Sequence, residues 1–260
     1  MDSESVDWIN RLRQEEMTLL FERLPWLAGD VLEIGGGSGQ QAAVMAARGL
    51  RVQSIDIESS GYRQGRVFPV AEYDGRHIPF PDASFDIVFS SNALEHVKDL
   101  DALEAEMLRV LRPQGRAVHV LPTHRWRLWT SLAHYPGIAA MLWRGGAAAA
   151  SDEHAAQQAP GRALRRLRNA LAPSRHGERG NVATEYWYFH PRWWQAHFER
   201  NRWTLVESFD VGLFYTGYLV ARGGLAMERR RRLAGTLGSA TRCYVLAKAG
   251  TGLPATGRIA

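Results

Sequence analysis

Short apolar runs and amphipathic stretches alternate over the first 120 residues. Residues 31–34, 52–57, 67–73, 85–89 and 117–121 read as strands. The run at 85–89 is broken only by Asp86, as in strands buried on both faces. Between them, apolar positions recur at helical spacing. Val6, Ile9, Leu12, Leu19 and Leu20 mark a helix over 5–24 ending before Pro25. Residues 39–48 form a second helix, closed by Gly49. Leu100, Leu103, Met107, Val110 and Leu111 share the apolar face of a third, which Pro113-Gln114-Gly115 stops. Strands alternating with helices predict an α/β fold with a doubly wound parallel sheet. Ligands of such a sheet sit at the carboxyl ends of its strands.

The rhythm breaks after Pro122 and resumes at 191, with a helix over 191–200 and strands at 203–209 and 242–248. Residues 123–190 therefore read as an inserted, mainly helical cap, 211–239 as a second insertion, and 251–260 as a flexible tail. Residues 1–122 would be the cofactor-binding half and 191–250 the end of the same domain.

Charge sharpens this division. Residues 1–120 carry 12 basic and 19 acidic side chains, whereas residues 121–260 carry 20 and 8, with seven of the nine tryptophans. Acceptor recognition is therefore expected in the basic, aromatic second part. The Arg162–Arg168 run and Arg229 to Arg232 read as solvated helix faces. No nucleic-acid-binding module is recognisable, so nucleic acid is not the expected partner. A single cysteine, Cys243, excludes an internal disulfide and a cysteine-rich metal cluster. The charged N-terminus has no signal-like apolar run, and no stretch of about 18 apolar residues follows, so a cytoplasmic location is expected.

The candidate chemistry centres on Glu33-Ile34-Gly35-Gly36-Gly37-Ser38-Gly39, a strand running into a glycine-rich turn before a helix. Such a turn lets a ligand approach the backbone, and the helix N-terminus directs N–H groups at it. Glu33 suits a cofactor with a cationic end better than a pyrophosphate. Asp56 ends the second strand, where its two oxygens can accept both hydroxyls of a ribose. Ile57 follows it directly, and Ser90 and Asn92 follow the fourth strand, so all three are expected to border the same ligand crevice.

Four stretches then carry a resemblance: VLEIGGGSG at 31–39, VQSIDI at 52–57, YDGRHIPFPDASFDIVFSSNALEHV at 73–97 and MLRVLRPQGRAVHVLP at 107–122. In this order and spacing the chain resembles the class I S-adenosylmethionine-dependent methyltransferases, of the bacterial group that modifies small molecules. The resemblance covers about residues 30–122 and implies S-adenosyl-L-methionine as cofactor and a Rossmann-like sheet of seven mostly parallel strands. Residues 203–209 and 242–248 would supply the closing antiparallel hairpin. The resemblance also implies that Gly35, Gly37 and Gly39 lie against the methionine part, that Asp74 accepts from the adenine amino group, and that Gly75 offers a backbone N–H where the family usually has alanine.

Beyond the cofactor, His96 is either a general base or a packing histidine at a helix start. His124, His176, Glu178, Asn181, Glu185, Tyr186 and His190 in the cap are candidate acceptor contacts, with 176–181 read as an exposed substrate loop. No metal-ligand spacing stands out. The expected reaction is methylation of a small, hydroxylated acceptor, a saccharide foremost, that is anionic or amphiphilic. Alternatives are a quinone or lipid methyltransferase in peripheral contact with a membrane, and a cofactor-binding protein without catalysis.

Overall fold

The computed structural model describes residues 3–61, 65–149, 173, 175–217 and 225–251. Helix α1 (Ser3–Arg23) precedes β1 (Asp30–Ile34), α2 (Gln40–Ala47), β2 (Arg51–Ile57), β3 (Ala71–Tyr73) and β4 (Phe85–Ser91). A 3-10 turn (Leu94–His96), α3 (Leu100–Val110) and β5 (Leu111–Pro122) follow. The second part contains α4 (His124–Ala149), α5 (Glu185–Tyr188), α6 (Pro191–Arg200), β6 (Trp203–Asp210), α7 (Met227–Leu237) and β7 (Thr241–Lys248).

The seven strands form one sheet in the order β3-β2-β1-β4-β5-β7-β6. β7 runs antiparallel to both neighbours, and the other recorded pairings are parallel. Strand order reverses between β1 and β4, so the crevice above their carboxyl ends is the topological switch point where such sheets bind ligands.

Both sheet faces are buried because neighbouring residues alternate between two clusters. Leu32, Val88, Leu121 and Leu246 pack with Leu103 and Met107 of α3 and with Trp194 and Phe198 of α6. Val31, Phe89, Val118 and Val245 pack with Met17 and Leu20 of α1 and with Met45 of α2. A third cluster joins Leu12 of α1 to Trp126, Phe189, Leu213 and Tyr215. Glu16 pins this junction: fully buried, it accepts from the Tyr215 hydroxyl at 2.9 Å and from Thr241 Oγ1 at 2.5 Å.

Several expected elements shift. The third strand shrinks to Ala71–Tyr73, because Pro69 has no N–H for a ladder and the Val67 N–H goes instead to the Ser38 carbonyl. The third helix stops at Val110. Leu111 already pairs with Phe85, and regular pairing resumes at Arg116 after the Pro113-Gln114-Gly115 irregularity. Helix α4 runs through Pro136. The run Arg229 to Arg232 is not wholly solvated: Arg230 is buried, lies 4.9 Å over the Trp8 ring and donates to the carbonyls of Leu225 and Phe214. The basic stretch 162–168 and the tail from 252 lie outside the described residues. Among the described residues, no helix is long and apolar enough to cross a membrane.

Candidate active site

The turn after β1 is held by its own backbone. Gly35 and Gly36 donate to the Ile55 carbonyl at 2.9 and 3.1 Å, and Gly35, Gly37 and Gly39 have φ of +76°, +55° and +79°. A Cβ on Gly36 would lie 1.9 Å from Ser54 Oγ, so only glycine lets the loop settle onto β2. The loop borders a groove of about 150 Å³. Residues 35–38 form one wall, Ser91 and Asn92 another, and Ile9, Asn10 and Arg13 of α1 reach in from a third side.

Asp56 is 9% exposed at the end of β2. Its Oδ2 accepts from the Gly37 N–H at 3.0 Å and its Oδ1 from the Ile57 N–H at 2.8 Å. Those bonds fix the carboxylate and leave each oxygen lone-pair capacity for one hydroxyl of a vicinal diol. Alongside, Ile57, Glu58, Ser59, Tyr73 and Asp74 line an open recess. Ile57 is 42% exposed there, a flat apolar surface suited to a purine face. A Cβ on Gly75 would lie 3.2 Å from Ile57 Cγ2 and crowd this surface. Asp74 Oδ1 accepts from the N–H groups of Arg76 and His77, both at 2.7 Å, which holds its carboxyl down at about 2.

Three expected cofactor contacts sit elsewhere. Glu33 is 1% exposed, accepts from Ser54 Oγ at 2.6 Å and lies beneath Gly36, so it braces the loop from below instead of facing the groove. Burial pushes its carboxyl up to about 7. Gly39 caps α2 against Phe68 and is not in the groove wall. Ser90 is fully buried with Oγ 2.8 Å from His119 Nδ1, and Ser91 lines the groove in its place. Strand alternation accounts for this: Ser90 shares the sheet face of His119. Periodicity marked Ile9 only as part of the α1 apolar stripe and gave no sign that Asn10 and Arg13 line the groove.

The segment 176–181 is exposed at His176, Gly180 and Asn181 but not at Gly177, Glu178 and Arg179. It docks on the 3-10 turn: Glu178 N–H donates to the Glu95 carbonyl at 2.9 Å, and Arg179 donates to the Val97 carbonyl at 2.7 Å. Glu185, expected at the acceptor, is fully buried. Its Oε1 accepts from the N–H groups of His176 (2.7 Å) and Gly177 (2.6 Å), and Oε2 lies 3.1 Å from Arg127 Nε. Asn181 Oδ1 accepts from the N–H groups of Ala183 and Thr184, capping its own turn. Glu178 pairs with Arg175 at 3.4 Å. These residues brace one another and the 3-10 turn, and none of them lines the groove.

Two histidine groups remain. The His96 and His176 rings lie 4.8 Å apart, with Trp126 4.7 Å beyond His176. His124 lies 4.6 Å from the His190 ring and 5.2 Å from that of Tyr186. His124 and His190 border a cavity of about 340 Å³ with Thr123, Arg125, Arg192 and Arg242, beyond the carboxyl end of β5. Burial, then the nearby His190, lowers His124 to about 4, so it is a neutral base at pH 7. Sequence spacing also gave no sign of one cluster that could hold a metal ion: Glu95, His96 and His176 each place a donor atom within 4.8 Å of the others, although about 80 residues of chain separate His176 from the other two.

A family model for a methyltransferase domain matches residues 32–119, spanning the glycine turn, Asp56, the adenine-side recess and β4. This stretch is a methyltransferase domain, and over it the chain is similar to class I S-adenosylmethionine-dependent methyltransferases. The chain is 36% identical over 122 residues to an "uncharacterized methyltransferase" of Mycobacterium sp. strain KMS, covering 41% of this chain and 45% of that one. It is 37% identical over 108 residues to a ubiquinone/menaquinone biosynthesis C-methyltransferase of Cupriavidus pinatubonensis, covering 37% and 44%. The matches thus span less than half the length of either relative. In fold, the chain is similar to a geranyl diphosphate C-methyltransferase of Streptomyces coelicolor, with a TM-score of 0.50 and 15% identity over 92% of this chain and 78% of that one.

Proposed function

We propose that the protein transfers a methyl group from S-adenosylmethionine to a hydroxyl oxygen of a small polar acceptor, a saccharide or similar metabolite bearing an anionic group. The observation that carries the cofactor half is the placing of Asp56 between the glycine-walled groove and the Ile57–Asp74 recess, bonded to Gly37 of the one and to Ile57 of the other. Asp56 would hold the ribose hydroxyls and Ile57 the adenine. Residues 35–38 with Asn92 would place the methionine end toward the cap.

The cofactor, when bound, supplies a sulfonium methyl already activated toward nucleophiles. This chain's residues have to align the acceptor, exclude water and take up one proton. The cavity beyond β5 is suited to such an acceptor: Arg125, Arg192 and Arg242 give it positive charge, although Asp210 pairs with Arg242 at 2.8 Å. His124 is the candidate base, because its ring borders this cavity and is kept neutral by burial and by His190. His96 is the alternative base, its imidazole also kept neutral by burial.

The test is incubation with methyl-labelled cofactor and a panel of phosphorylated and uronic sugars, with products read by mass spectrometry and NMR. An O-methyl product supports the reading. A methyl group on carbon alone, or turnover only of uncharged lipids, refutes it.

A second reading, action on a quinone or lipid at a membrane surface, is favoured by one observation. Leu128, Leu132 and Tyr135 form an exposed row along α4, and Tyr186 and Trp187 stand exposed on the adjacent α5. Flotation with anionic liposomes tests it. Binding abolished by Leu128→Ser with Leu132→Ser supports it, and recovery of all protein in the unbound fraction refutes it.

A further inference from the structure

We propose that Glu95, His96 and His176 bind a divalent transition-metal ion of the zinc class. Two observations carry this. First, the donor atoms of the three side chains lie within 4.8 Å of one another. His96 Nε2 is 3.8 Å, and His176 Nε2 4.0 Å, from Glu95 Oε1. Second, the Glu95 carboxylate is 1% exposed, and among the described residues no donor from another residue bonds either of its oxygens. A buried carboxyl without such partners is costly, and a bound cation removes that cost.

The donor set points to the class of ion. Two imidazoles and one carboxylate suit zinc, iron(II), cobalt or nickel, whereas magnesium and calcium prefer all-oxygen shells. A tetrahedral zinc shell with bonds of about 2.0–2.1 Å needs donors about 3.3 Å apart. The recorded spacings of 3.8 and 4.0 Å close to that by small rotations of the imidazoles, whose side chains are 44% and 36% exposed.

The surrounding cations do not occupy this place. Arg13 is paired with Glu16 at 2.5 Å, and Arg179 donates to the Leu94 and Val97 carbonyls while lying over the Trp193 and Trp194 rings. The 3-10 turn and the 175–181 segment are fastened together by the Glu178 N–H and by Arg179, so the three ligands are presented by a braced junction. Three protein ligands leave a fourth coordination position, on the exposed side of the rings, for water or an acceptor oxygen. That last role rests on the proposed methyl transfer to oxygen; binding of the ion does not.

The experiment uses the full chain, stripped with a chelator, dialysed and titrated with Co²⁺ while visible absorption is followed. Saturation at about one ion per chain, with displacement by Zn²⁺, is expected. Glu95→Gln and His176→Gln should each weaken binding by more than about tenfold. No saturable binding below millimolar Co²⁺, or unchanged affinity in both variants, overturns the proposal. X-ray absorption at the zinc edge of the wild-type protein reads the shell without any substitution. Scattering from two imidazoles is expected, and a shell without imidazole overturns it. Metal binding with these ligands but no methyl transfer in its presence would count against the proposed reaction and not against the site.

Discussion

Replacing Glu185 with alanine should cost more stability than any substitution among the exposed residues of the cap. The carboxylate is fully buried and does three things: it accepts two backbone N–H bonds, at 2.7 and 2.6 Å from His176 and Gly177, and it sits 3.1 Å from Arg127, itself 3% exposed. Hydrogen bonds to a charged acceptor contribute about 1.5–3 kcal/mol each. Removing one member of a buried ion pair costs about 3–5 kcal/mol, because the partner charge stays buried. The two accounts describe the same carboxylate and are not summed, so about 3–5 kcal/mol is expected, or a fall in melting temperature of roughly 6–20 °C at about 2–4 °C per kcal/mol. The measurement is urea denaturation of wild type and variant followed by far-UV circular dichroism, with equal slopes. Arg127→Met should cost several kcal/mol in the wild-type background and far less in Glu185→Ala. A loss under about 1 kcal/mol, or additive effects of the two substitutions, would refute the claim that this pair fastens the 176–181 segment.

Two further outcomes follow from the glycine turn. Gly36→Ala should abolish cofactor binding and lower the melting temperature, because its Cβ would displace Ser54 from Glu33; unchanged S-adenosylhomocysteine affinity would refute this. Glu33 carries a folded-state value near 7, raised by burial, so its favourable contribution is present below the unfolded carboxyl value of 4.5 and is lost as pH rises through 7. Glu33→Gln should therefore gain on wild type between pH 5 and pH 8, by on the order of 2 kcal/mol. Parallel stability profiles for the two proteins would show that the carboxyl does not titrate in this window.

The sheet was legible because its signals are local. Alternating apolar runs, Gly49 after the second helix and Pro113-Gln114-Gly115 after the third each act within a few residues. The backbone of Gly35 and Gly37, with Asp56 and Ile57, was legible for the same reason: a glycine turn and a strand-ending carboxylate imply their geometry directly. Glu33 and Ser90 were placed at the ligand because sequence adjacency does not reveal which way a strand residue points. The structure turns both inward, to Ser54 and His119. Glu185 and His176 could not be assigned from spacing, since their partners, Arg127 and Glu95, lie 58 and 81 positions away in the chain. Tertiary packing alone makes one a brace and the other a candidate ligand.

The central claim is that the groove between the glycine turn and Asn92, with Asp56 on its adenosine side, holds S-adenosylmethionine. Isothermal titration of S-adenosylhomocysteine into wild type and Asp56→Ala tests it most directly. The account predicts one site per chain in the wild type and a loss of more than tenfold in the variant, since two charge-assisted bonds of about 1.5–3 kcal/mol each would be removed. Equal affinity in the two proteins, or no heat of binding in the wild type, would contradict it.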